Sequence, residues 1–343
     1  MKNKSVAEKK EKLKKPFFKR VWVWVLIVML AFVLATALTM PFIYNVQTII
    51  LRVVCKPRNV SVPQNYDAIL SNTVKNENVA YNSTYANGYM DIISPKDTNE
   101  RLPLLVYLHG GYYVAGDKKG SEPYCRMIAN EGYIVANVNY VLAPDAQYPA
   151  QAIQANEAIN YLIENNSTYN IDINNVYIGG DSAGAHLSGY MGAYYTNPEL
   201  TSKLDITPAI SQHQLKGVVL LCGFFDMFKV RETKFPFVND AMWMLTGTKK
   251  YENYNRVNEL NTIENVTANY PNTYLLCGDK DPFHPQNISM QEKLEENNVN
   301  VTAYLPTTNK NKLKHEFQRN FDLEEANTAM TMLLNFLEIH SGE

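Results

Sequence analysis

Val176-Tyr177-Ile178-Gly179-Gly180-Asp181-Ser182-Ala183-Gly184 is the stretch that decides the fold. Val176 to Ile178 is a short apolar run of strand type, and it stops at glycines. From Ala183 to Tyr195 the chain is rich in small residues and reads as a helix. A serine between Gly180 and Gly184, at the turn from strand to helix, is the arrangement that exposes a hydroxyl nucleophile. The glycines have a physical reason. The serine backbone is strained there and the helix passes close by, so a side chain at either position would clash. The helix N-terminus also places the positive end of its dipole near any negative charge that develops.

The same alternation continues on both sides. Tyr89 to Ile93 alternates like a half-buried strand, and Leu104 to Leu108 is a short apolar run that stops at Gly110-Gly111. Tyr133 to Val138, Val218 to Leu221 and Tyr274 to Leu276 read as further strands, and Val299 to Leu305 as another. Pro149 to Glu164, Ser289 to Asn297 and Glu324 to Leu337 carry helical spacing. Buried strands separated by helices predict a mostly parallel sheet with helices on both faces. Sites in such sheets gather at the carboxyl ends of the strands.

A serine hydroxyl needs a base and donors for an oxyanion. His109-Gly110-Gly111-Tyr112 follows the strand ending at Leu108 and suits the donor loop. The other donor is the N–H of the residue after the serine, Ala183. His109 sits before the loop, so a supporting role by hydrogen bonding fits it better than that of base. The acid and base follow the serine in chain order. Cys277-Gly278-Asp279-Lys280-Asp281-Pro282 offers Asp281 as the acid, with Asp279 as its rival or as a loop cap. Lys314-His315-Glu316-Phe317 offers His315 as the base. His186, His213, His284 and His340 are worse placed.

Together these motifs resemble the hormone-sensitive-lipase-like branch of the α/β-hydrolases. That branch includes carboxylesterases, acetyl esterases and the membrane-anchored arylacetamide deacetylases, and the similarity runs from about Tyr89 to Leu337. The resemblance implies an α/β-hydrolase fold and a triad of Ser182, Asp281 and His315. It implies oxyanion donors at Gly111, Tyr112 and Ala183, with His109 and Gly110 in the supporting loop. One departure is Tyr112, where the branch usually has a third glycine; this is similar to the HGGYW-type loop of formamidase-like relatives. An extended Tyr112 can still donate its N–H, and Tyr112 and Tyr113 are expected to narrow the acyl pocket. About fifty residues, 224–270, separate two strands and contain Phe224, Phe225, Phe228, Phe235, Phe237, Met242, Trp243 and Met244. They read as a small cap over an apolar pocket, or as a helical insertion with its own core.

The charge is unevenly spread. Of 343 residues with net charge −2, the first twenty carry +7 and the remainder −9. The acidic body excludes a nucleic-acid grip, and 46% hydrophobic content excludes global disorder. After the basic tail, 1–20, comes an uncharged run, 21–44, with Trp22 and Trp24 at one end and Tyr44 at the other. Roughly 20 such residues span a bilayer. The run is therefore expected to be a transmembrane signal-anchor with a cytoplasmic N-terminus and an extracytoplasmic hydrolase. A cleaved signal peptide with a site at Ala35-Thr36-Ala37, giving a secreted protein, is the alternative. Residues 45–66 read as a connector and 67–343 as the hydrolase domain. Cys222 and Cys277 end neighbouring strands, where disulfide geometry is poor, and are expected to be free thiols. No metal or cofactor is expected. The partners implied are a small-molecule or glycan-linked ester and the bilayer. An amide or formamide hydrolase, an envelope-glycan transacylase and an inactive binding module on the same fold remain as alternatives.

Overall fold

The structure, a computed structural model, describes residues 20–34, 46–53, 61–98, 100–306 and 312–341. The chain has two units, residues 1–50 and 51–343. In the first, residues 20–34 are helical and their apolar side chains are exposed. The sequence predicts one membrane-spanning helix over 21–44. Among the described residues no helix is long and apolar enough to cross a membrane. The helical stretch 20–34 covers about 22 Å at 1.5 Å per residue, short of a hydrocarbon core of ~30 Å. Residues 1–19 and 35–45, which complete the basic tail and the apolar run, lie outside the described residues.

The second unit is built on an eight-stranded sheet. Its strands are β1 (Thr73–Ala80), β2 (Tyr89–Pro95), β3 (Leu102–Leu108), β4 (Ile134–Val138), β5 (Ile171–Asp181), β6 (Leu215–Leu221), β7 (Asn272–Leu276) and β8 (Val301–Tyr304). The order is β1-β2-β4-β3-β5-β6-β7-β8. From β4 to β8 along that order every neighbouring pair is parallel, while β2 runs antiparallel to both β1 and β4. The sequence reading missed β1. Thr73-Val74-Lys75-Asn76-Glu77 is too polar to look like a strand, yet an edge strand with one solvated face tolerates that.

Alternation along the strands builds two cores. Leu105, Tyr107, Val135, Tyr177, Val219, Leu221, Tyr274 and Leu276 share one buried cluster with the helices Glu122–Asn130 and Glu324–His340. The intervening residues, among them Leu104, Val106, Ile178, Val218 and Leu220, are equally buried. The helix Ala183–Thr196 packs on β5 and β6. At ~25 cal/mol per Å² of apolar surface, these continuous runs supply the main stabilisation of the sheet. Between β6 and β7 the insertion forms short helices, including Val238–Thr246 and Val257–Leu260. It has buried residues of its own, such as Met242, Met244 and Leu245, and also reaches the carboxyl end of the sheet.

Backbone contact at the end of β5 explains its glycines. A Cβ on Gly184 would lie 1.9 Å from the Leu108 carbonyl oxygen, and one on Gly180 would lie 2.2 Å from the same atom. Neither neighbour is a flexible side chain that can swing away. Gly184→Ala is expected to cost roughly 3 kcal/mol or more, above the usual cost of overpacking, because backbone must move. Chemical denaturation checks this, and an alanine variant with wild-type midpoint would show that the close approach is dispensable.

Candidate active site

Ser182 sits between β5 and the helix that begins at Ala183, with φ 54° and ψ −115°. This positive-φ conformation costs about 1–3 kcal/mol and persists only where its surroundings hold it. The Ser182 N–H donates to the Leu221 carbonyl at 2.8 Å. Its side chain does not cap the helix. Instead Oγ lies 2.9 Å from Nε2 of His315, whose Nδ1 lies 2.7 Å from Oδ2 of Asp281. An ionised carboxylate only accepts, so Nδ1 carries the proton and Nε2 is left to accept from the serine hydroxyl.

Both partners are held by backbone. Asp281 is buried, and its Oδ1 accepts the Phe283 N–H at 2.9 Å. Asp279, the rival acid, accepts the Leu313 N–H at 2.7 Å, while the Lys280 N–H donates to the Leu313 carbonyl at 2.8 Å. Asp279 thus caps the loop and ties it to the loop bearing His315. His109 is buried and stacked on Tyr140, with ring centroids 4.4 Å apart. Its Nδ1 donates to the Gly110 carbonyl at 2.7 Å, so it braces the glycine loop. Burial holds its pKa below the ordinary value. His186 is likewise buried, with a pKa lowered to about 4 by desolvation. It accepts from the Tyr113 hydroxyl at 2.7 Å and donates to the Leu260 carbonyl at 2.7 Å.

The glycine loop differs from expectation in one respect. Tyr112 is not extended: it has φ 61°, followed by Tyr113 at φ 66°, after Gly111 at φ 124°. Three successive residues with positive φ fold the segment into a tight turn, closed by the Val114 and Ala115 N–H groups on the Gly111 carbonyl. Gly110 lies against the serine turn, since a Cβ there would be 2.9 Å from the Asp181 carbonyl oxygen. Ala183 opens its helix, so its N–H has no intrahelical acceptor.

The sequence reading places Phe235 in the expected cap and gives Glu316 and Arg319 no role. Phe235, from the insertion, packs its ring 4.7 Å from His315, 4.7 Å from Phe283 and 5.2 Å from Tyr112. Glu316 lies beside His315, with Oε1 3.9 Å from Nε2. Arg319 reaches both Glu316, at 3.4 Å, and Asp181, at 3.5 Å. Burial works against a cationic His315, but the charge and hydrogen bond of Asp281 outweigh it and raise the His315 pKa. Cys222 is a buried free thiol, as are Cys125 and Cys277. The sequence showed no metal-ligand spacing, but the fold brings donor atoms of Cys222, Asp281 and His315 within 4.8 Å of one another. A soft cation there would have to displace the proton shared by Asp281 and His315, so these donors are already committed to each other.

The sequence profile of the BD-FAE family matches residues 90–295, more than half of the chain and the whole span from β2 to the helix after Asp281. The chain belongs to the BD-FAE family. It is 26% identical over 239 residues to 3-O-acetylpapaveroxine carboxylesterase CXE1 of Papaver somniferum, covering 62% of this chain and 72% of that one. It is 29% identical over 155 residues to kynurenine formamidase of Salmo salar, covering 45% of this chain and only 47% of the relative's length. Among solved structures, esterase B from Lactobacillus Rhamnosis (HN001) superposes with a TM-score of 0.72 over 90% of this chain and 95% of that one, at 21% identity. At that identity the likeness concerns the fold, which is the α/β-hydrolase fold.

Proposed function

We propose that this chain is a serine carboxylesterase of the hormone-sensitive-lipase-like branch, acting on small carboxylic esters. The observation that carries the reading is the continuous relay from Ser182 Oγ through His315 to Asp281, set on a strained turn at the carboxyl end of the sheet. Ser182 Oγ attacks the ester carbonyl carbon while its proton passes to His315 Nε2. The oxyanion that forms meets the N–H groups of Ala183, Gly111 and Tyr112. Nε2–H then protonates the departing alcohol, leaving an acyl-serine. Water gives a proton to Nε2 and attacks the acyl carbon, and the acid leaves as Ser182 is restored. Each oxyanion donor is worth ~3–4 kcal/mol. Phe235, Phe283 and Tyr112 wall the approach to His315 and favour short or flat acyl groups.

A formamide substrate is the second reading. It is favoured by the similarity to a kynurenine formamidase and by Tyr112 in the turn. A formyl group is the smallest acyl group and fits the same wall. The test combines two measurements. A fluorophosphonate probe is expected to label Ser182. Turnover of p-nitrophenyl esters is expected to fall with acyl length in the wild type and to fall less steeply in Phe235→Ala. An unlabelled Ser182 refutes the esterase and formamidase readings together, and faster turnover of an aryl formamide than of any ester selects the second.

A further inference from the structure

Behind the serine turn two carboxyl groups face each other. Asp181 is 1% exposed, and Arg319 Nη1 bridges its carboxyl, at 3.5 Å, to that of Glu316, at 3.4 Å. A Cβ placed on Gly110 would lie 2.5 Å from Asp181 Oδ2 and 3.0 Å from Glu316 Oε1, so both acids press on the glycine loop. Asp181 Oδ1 accepts from the Tyr107 hydroxyl at 2.9 Å. Asp181 Oδ2 is buried and accepts no hydrogen bond; the cation nearest it, Arg319 Nη1, stands off at 3.5 Å as an ion pair. An oxygen in that state is costly unless something donates to it. Two ionised carboxylates only accept. A proton between them is what satisfies the orphaned oxygen.

We propose that Asp181 and Glu316 share one proton, and that the resulting acid pair locks the Gly110 turn to the His315 loop. Both are then positioning residues. They touch no substrate, but they fix the distance between oxyanion donors and base. The inference rests on Ser182 and His315 acting as nucleophile and base.

The charges around the pair agree. Arg319 supplies one positive charge to both acids and is itself tied to the Gly120 carbonyl. It balances one carboxylate, and the shared proton neutralises the other. His315 faces Glu316 from the same loop. Asp281 acts on the pair only through charge, while His109 and the Cys125 thiol, both kept neutral by burial, adjoin it with the neutral Tyr124 and Tyr140 hydroxyls. Burial, followed by the charge of Glu316, pushes the Asp181 pKa up to about 7, while His315 and Arg319 outweigh the effect of burial on Glu316 and hold its pKa down. The proton therefore resides on Asp181 and leaves as the pH rises past neutrality. Its loss puts a second negative charge against the turn that has to receive an oxyanion, which opposes catalysis. Glu316 itself has φ 58°, a strained backbone that a fixed contact explains.

The test has a spectroscopic and a kinetic arm, both on the full chain. Infrared difference spectra of wild type against Asp181→Asn are expected to show the carbonyl stretch of one protonated carboxyl group in mildly acidic buffer. That band should fade as pH rises past neutrality. Asparagine keeps a permanent donor where the proton was, so D181N is expected to lose only a few-fold in kcat. D181A and E316A, which unlock the turn, should lose on the order of 10- to 100-fold in kcat with KM little changed. Because His315 imposes its own limb on both proteins, the kinetic arm reads the ratio of wild-type to D181N kcat, which should fall over the range in which the band fades. Absence of the band, or D181N as slow as D181A, overturns the proposal. The band is read without any substrate, so it stays decisive even if Ser182 proves not to be a nucleophile.

Discussion

Ser182→Ala is expected to lower kcat for short p-nitrophenyl esters by on the order of 10⁴- to 10⁶-fold and to leave the fold intact. The size follows from the mechanism. No other hydroxyl occupies the turn at φ 54° with a hydrogen bond to His315 Nε2, so nothing inherits the attack. Residual rate would come from the oxyanion donors and His315 acting on bound water. The deleted oxygen is small, and alanine adopts the positive-φ conformation at a cost close to that of serine. Circular dichroism and denaturation midpoint therefore stay near wild type, which separates a chemical loss from an unfolded protein. A variant retaining a tenth of wild-type turnover would refute the assignment of Ser182.

Asp281→Asn ranks next, with an expected loss of about 10⁴-fold in kcat. The new side-chain amide in that variant can donate to Nδ1 and hold the wrong imidazole tautomer. Nε2 would then carry the proton and no longer accept from Ser182. The pH profile gives a second signature. Asp281 raises the His315 pKa, and the reaction needs the neutral imidazole. Wild-type activity is thus lost as pH falls through a value above the ordinary ~6.5 of histidine. Removing the carboxylate moves this acidic limb to lower pH, whatever the residual rate. A limb that stays in place, or a loss under tenfold, would mean that another group holds the ring.

What could be read from the sequence was what depends on neighbours in the chain. Val176 to Gly184 carries strand, turn and helix signals within nine residues, so the serine turn was legible. Asp281 and His315 were legible by their order after it. Tyr112 was read as extended, because nothing in Gly110-Gly111-Tyr112-Tyr113 indicates that the positive φ of Gly111 carries on through both tyrosines. β1 was hidden by polar residues that only an edge strand accommodates. The Asp181–Glu316 pair and the reach of Phe235 to His315 join positions 135 and 80 residues apart. No local pattern marks such contacts. The expected anchor rests on an apolar run of which the described residues include only the first part.

The close approach of Gly180 and Gly184 to Leu108 has a bearing on how this protein tolerates change. The turn bearing Ser182 is gauged against the end of β3 by main-chain atoms, whatever the core side chains around it. Core side chains can therefore drift in size across generations, wearing down stability, while the reacting groups keep their spacing. Selection for a new substrate can likewise rework the insertion around Phe235 without recalibrating the attack.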